Sequence, residues 1–110
     1  MSHARFDAVR LNVVHDGNGT ETMVLLHGLL FSHRMFDAQV EALRDRFQCI
    51  RMDFRGQGGS EVTDGGYDLD TLADDVIALI ESLDADRVHL LGFSMGGMTA
   101  MRAALKRPDL

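Results

Sequence analysis

Gly92-Phe93-Ser94-Met95-Gly96 is the segment whose residue types and spacing could do covalent chemistry. A G-x-S-x-G run pushes a serine hydroxyl out on a sharp strand-to-helix turn, where it can attack an electrophilic carbonyl. Such a turn brings strand and helix so close that side chains at Gly92 and Gly96 would collide, and it holds Ser94 in a strained backbone conformation. The helix after the turn aims its N-terminus at the site, which favours developing negative charge. Gly97 and Ala100 keep that helix slim against a sheet. The plainer alternative is a glycine-rich turn that happens to hold a serine. A buried-type strand before it and a helix after it argue against that.

Attack on a carbonyl creates a tetrahedral oxyanion that needs at least two N–H donors. The amide of Met95, next to the serine, is one candidate. The second belongs in the loop His27-Gly28-Leu29-Leu30, where a tight turn would let the Leu29 amide face the site. Read plainly, His27 merely ends a strand and Gly28 turns the chain. Asp53-Phe54-Arg55-Gly56-Gln57-Gly58 is a further glycine-rich loop. Asp53 sits at a strand end, but a carboxylate tying down loop amides is the better reading than a catalytic one, with glycines allowing positive backbone angles. Leu29, Leu30, Phe31, Phe93 and Met95 suggest an apolar acyl pocket, with ordinary core as the alternative.

These loops need elements to hold them. Residues 23–26 form an unbroken apolar run, the pattern of a strand covered on both faces, and residues 49–52 and 88–91 read as further strands. Residues 6–14 suggest two short strands or one bent strand before the Asp16-Gly17-Asn18-Gly19 turn. Met35, Phe36, Val40, Leu43 and Phe47 fall near helical spacing, in a helix that could start near Ser32. Leu69, Leu72, Ala73, Val76, Ile77, Ile80 and Leu83 make the clearest helical stripe, with aspartates crowding its first turns. Residues 98–107 read as a last helix, closed by Pro108. Strand and helix alternating in this order predict an α/β fold with a mostly parallel sheet and flanking helices, whose ligands gather outside the carboxyl ends of the strands.

The 110 residues suit one domain, and 45% hydrophobic with 25% charged residues is a globular balance. A net charge of −6 offers no basic patch to neutralise phosphate, which disfavours nucleic acid and anionic membrane as main partners. The lone Cys49 allows no internal disulfide and no thiolate zinc site. Nothing implies a metal or an organic cofactor. With no signal-like or membrane-length apolar run, a cytoplasmic location is expected.

The His27-Gly28 turn, the Asp53-x-Arg55-Gly56-x-Gly58 loop and the Gly92-x-Ser94-x-Gly96 elbow together resemble the α/β-hydrolase superfamily, in its order and at about its spacing, over nearly the whole chain. Gly92-Phe93-Ser94-Met95-Gly96-Gly97 looks most like small bacterial esterases, lactonases and cofactor-free perhydrolases. The resemblance implies Ser94 as nucleophile and the Leu29 and Met95 amides as oxyanion hole. It implies support from His27, Gly28, Gly92, Gly96, Gly97, Asp53 and Arg55, and a substrate pocket at Leu30, Phe31 and Phe93. A serine at position 94 argues against the epoxide hydrolase and haloalkane dehalogenase branches, which resemblance would give an aspartate.

In this family the triad acid and histidine follow the serine. After Ser94 the chain has no histidine and one acid, Asp109; His3, His15, His27, His33 and His89 all precede it. Of these only His33, near the oxyanion loop, merits thought as a base, and helix start or pocket wall suits it better. Residues 1–110 are therefore expected to be the N-terminal part of such a domain, without its later strands, cap or two triad members. The expected activity is hydrolysis of small carboxylic esters or lactones through an acyl-enzyme, with the chain alone nearly inactive. A complementing chain or oligomer could supply the rest. A non-catalytic binding module, an acyltransferase or a carbon–carbon hydrolase are the other readings.

Overall fold

Strands buried on both faces need a helical layer on each side, and the chain supplies both. The computed structural model describes residues 2–6 and 9–110. Its strands are β1 (Ser2–Phe6), β2 (Val9–Asp16), β3 (Glu21–Leu26), β4 (Phe47–Met52) and β5 (His89–Gly92), in one sheet of order β1-β2-β4-β3-β5. β4, β3 and β5 run parallel, whereas β2 joins β4 and β1 joins β2 antiparallel. The sheet is thus mixed, its parallel part carrying the loops after residues 26, 52 and 92. The initial β segment is two strands, divided around residues 7 and 8, which lie outside the described residues.

The helices are α1 (Asp37–Leu43), preceded by a 3-10 turn at His33–Phe36, then α2 (Leu69–Ser82) and α3 (Met95–Lys106). Leu72, Val76, Leu79 and Ile80 of α2 and Ala103 of α3 close over Leu11, Val13, Val24, Leu26, Ile50 and Met52 on one face. Phe36 and Val40 cover Leu25 and Cys49 on the other. At about 1.5–3 kcal/mol per fully buried large apolar side chain, these layers are the main stabilising term. Asp68 caps α2, its carboxylate accepting the Thr71 amide at 3.1 Å.

Two expectations need correcting. The stripe from Met35 to Phe47 is not one helix: its first turn is 3-10, and Phe47 opens β4. Ser32 does mark the start, its Oγ accepting the Arg34 amide at 3.3 Å. The last helix begins at Met95, directly after the serine, not at Met98. β5 is only partly buried, because among the described residues no strand pairs with its outer edge. Among the described residues no helix is long and apolar enough to cross a membrane.

Strand register brings the loops together. Leu26 lies beside Met52 on one side and Gly92 on the other. The carboxyl ends of β3, β4 and β5 are therefore level, and the loops they launch share one rim of the sheet.

Candidate active site

Ser94 stands between β5 and α3 with φ 55° and ψ −111°, an exposed side chain on a left-handed backbone. For a residue with a Cβ this conformation costs about 1–3 kcal/mol and persists only where its surroundings over-determine it. They do so here. The Phe93 amide donates to the Leu26 carbonyl at 3.1 Å, Gly96 to Phe93 at 2.9 Å and Met98 to Ser94 at 3.0 Å. A Cβ on Gly92 would overlap the Gly96 carbonyl, and one on Gly96 would overlap Leu26 O and sit 2.7 Å from His27 O. The helix can approach the sheet this closely only because both side chains are absent.

The loop after β3 lies against this elbow. The Phe31 and Phe93 rings meet edge to face at 6.5 Å, and a Cβ on Gly28 would be 3.0 Å from the Phe93 ring. Phe31 N donates to Gly28 O at 3.1 Å, closing a turn over Leu29 and Leu30. Among the described residues neither the Leu29 nor the Met95 amide has a partner. A strained serine, the loop after β3 and two amides without a hydrogen-bond partner among the described residues thus lie at one rim of the sheet. The alpha/beta hydrolase fold family matches residues 21–110. The chain belongs to that family.

Several of its relatives carry hydrolase names. The AB hydrolase superfamily protein YisY of Bacillus subtilis (strain 168) is 44% identical over 95 residues, spanning 86% of this chain and 35% of its own length. The solved enol-lactonase from Burkholderia xenovorans LB400 superposes at a TM-score of 0.92 with 32% identity, over 98% of this chain and 43% of that one. Epoxide hydrolase CorEH superposes at 0.94 with 34% identity, over 99% of this chain and 38% of that one. The chain spans about a third of the length of the curated relatives it matches.

The other residues of this hydrolase-fold site are struts. His27 is fully buried; its Nδ1 lies 2.7 Å from Gly28 O, and its Nε2 accepts the Phe54 amide at 3.0 Å. Those partners assign the proton to Nδ1 and leave no nitrogen for a substrate. Burial pushes His27 below its ordinary value, although the Gly28 carbonyl bond pulls the other way. His27 therefore stays neutral and ties the first loop to the second.

Asp53 is equally buried and accepts from Asn12 Nδ2 at 2.8 Å, Gly59 N at 2.9 Å and His33 N at 2.6 Å. Burial pushes its carboxyl up, but the hydrogen bonds from Asn12, Gly59 and His33 outweigh it and leave the group below the ordinary range. Gly58, at φ 53°, leaves room for that carboxylate, which a Cβ there would overlap. His33 Nδ1 is 2.9 Å from Asp53 Oδ1, which places the histidine at the helix start. Arg55 forks onto Asp75 of α2 with two contacts of 2.8 Å.

Leu29, Leu30, Phe31 and Phe93 are all more than half exposed, so they are not core. Met95 is different: its side chain is partly buried and packs against the core. His89 is remote, pairing with Glu21 at 3.0 Å at the opposite end of β5, and His15 lines a cleft with Ser82 and Asp84. Sequence reasoning missed Asn12, Gln57 and Asp75. Nothing local marks them; each gains meaning only from a partner on another element.

Proposed function

We propose that this chain is the nucleophile-bearing, N-terminal part of a serine hydrolase that cleaves small carboxylic esters or lactones through an acyl-enzyme. The observation that carries the reading is the left-handed backbone of Ser94 at a turn where Gly92 and Gly96 leave no room for side chains. In this reading Ser94 Oγ adds to the substrate carbonyl carbon, and a histidine takes the hydroxyl proton. The carbonyl oxygen becomes an oxyanion held by the amides of Leu29 and Met95, each worth roughly 3 kcal/mol in the transition state. The bond to the leaving alkoxide breaks as the histidine returns the proton to it. Water then repeats the sequence on the acyl-serine and frees the acid. The exposed Leu30, Phe31 and Phe93 form the apolar wall for the acyl group.

Residues 95–110 contain no histidine, and their one acid, Asp109, is bound to Arg107 at 2.9 Å. In this reading the base and the acid that orients it are supplied from outside residues 1–110. A missing base costs about 10⁶ in turnover in comparable serine enzymes, so the chain alone is expected to be almost inert. An epoxide hydrolase matches the fold as well as a lactonase does, so shape does not choose the chemistry. The residue at 94 does: a hydroxyl attacking a carbonyl fits a serine.

The test is reaction with a fluorophosphonate, read by intact mass, for the chain alone and for the protein extended by whatever coding sequence is found in frame past Leu110. Fast labelling of the extended protein, slow labelling of the chain and none after Ser94→Ala are expected. An extended protein that resists the probe while hydrolysing esters would overturn the serine assignment.

A further inference from the structure

We propose that Gln57 is a positioning residue for the oxyanion donor at Leu29, holding the turn Gly28-Leu29-Leu30-Phe31 in a single peptide orientation. The inference rests on the oxyanion role proposed for the Leu29 amide.

Leu30 has φ 67° and is 87% exposed. It shares left-handed backbone with Ser94 alone among the described residues other than glycine. Leu29 does not share it, so the turn closed by Phe31 N and Gly28 O has the sense of type II, which favours glycine or asparagine at its third position. A leucine there is strained, and so exposed a side chain gains little packing in return. The obvious relief is to rotate the Leu29–Leu30 peptide by about 180° into the type I turn, in which Leu30 has ordinary φ.

One contact opposes that rotation. The Leu30 amide donates to Gln57 Oε1 at 2.8 Å. Rotation would swing the Leu29 carbonyl oxygen toward Gln57 in place of the donor, so a hydrogen bond survives only if the Gln57 side-chain amide turns over at the same time to present Nε2. Gln57 is itself anchored: its amide donates to Phe54 O at 3.0 Å, and its carbonyl accepts from Ser60 N at 3.0 Å. Ser60 Oγ in turn donates to Asp53 O. The acceptor is thus fixed on the rigid second loop while the strained turn sits on the first.

The consequence concerns the site. The rotating peptide is the one next to the Leu29 N–H, so a free turn would present that donor with the adjacent dipole reversed in part of the population. Donors fixed before the charge develops are what make such a site effective. Gln57 supplies that fixation from the second loop, through the Leu30 amide rather than through the donor itself.

The test combines Gln57→Ala with Leu30→Gly, because glycine accepts positive φ without strain. The first readout is NMR of the ¹⁵N-labelled extended protein. In Gln57→Ala the Leu29 and Leu30 amide signals should move and Leu30 exchange should rise, while Val24 and Leu25 stay in place as folding controls. The second is the fluorophosphonate rate at Ser94 on the same proteins. Gln57→Ala should slow it by about tenfold, the scale of a modest misplacement. In the Leu30→Gly background the same change should cost at most about twofold, since the two residues act through one turn. Unmoved Leu29 and Leu30 amides in Gln57→Ala would overturn the proposal, as would an undiminished labelling rate. Failure of the unsubstituted extended protein to label at Ser94 would instead strike the serine reading, and the amide spectra would still judge the latch.

Discussion

Ser94 occupies backbone that a serine in isolation avoids, and the close approach that holds it there depends on glycines. The two helical glycines differ sharply. A Cβ on Gly96 would overlap the Leu26 carbonyl in the neighbouring strand, whereas one on Gly97 would lie 3.3 Å from Gly92 O. Gly96→Ala should therefore destabilise the chain by about 3 kcal/mol or more, because neither strand nor helix can yield without losing hydrogen bonds. Gly97→Ala should fall within about 1 kcal/mol of the parent, since better helix propensity offsets the tight contact. Urea unfolding of both variants checks this; equal losses would contradict the close-approach account. His27 carries a pH prediction. Burial lowers its folded-state value, so on acidification the unfolded chain takes up the proton first. The stability that neutral His27 provides is complete above pH of about 6.5 and declines as pH falls below it. The urea midpoint should drop over that range, and His27→Gln should flatten the slope.

At the scale of elements, three strand ends are level and three loops are bound to one another from behind. Asp53 joins the second loop to β2 through Asn12 and to the 3-10 turn through the His33 amide. Arg55 joins the same loop to α2 through Asp75, with both side chains about nine-tenths buried. Asp75 helps hold the Arg55 guanidinium above its ordinary value. Breaking a buried pair strands the remaining charge, so Arg55→Met should cost about 3–5 kcal/mol, and Arg55→Met with Asp75→Leu should recover most of it. Chemical denaturation of the single and double variants gives the comparison; a single variant as stable as the double would contradict it. The 3-10 turn before α1 has the same kind of cause. The His33 amide is taken by Asp53 and its carbonyl by Arg51 at 3.1 Å. Partners distant in sequence therefore set the geometry of a turn whose side-chain spacing reads as plain helix.

The whole molecule is asymmetric. β2, β4 and β3 pack their buried residues under the helices, while β5 ends the sheet with an outer edge that no strand pairs among the described residues. Beyond it α3 exposes Met98, Met101 and Leu105, one stripe of its surface. An apolar stripe beside an open strand edge favours self-association. The isolated chain should show concentration-dependent sedimentation that Met101→Lys with Leu105→Lys reduces. Unchanged sedimentation would clear this face of the role. Much was legible without coordinates: the order of strands and helices follows from periodicity, and the elbow at Ser94 and the turn at Gly28 follow from glycine spacing. These are local properties, because repeat and turn chemistry are written in adjacent residues. Tertiary structure alone decided that β4 lies between β2 and β3, that Leu30 and Phe93 face solvent while Met95 packs inward, and that Asn12, Gln57 and Asp75 serve the loops. Those depend on which strands become neighbours, and a pairing between residues dozens of positions apart leaves no mark on the sequence around either one.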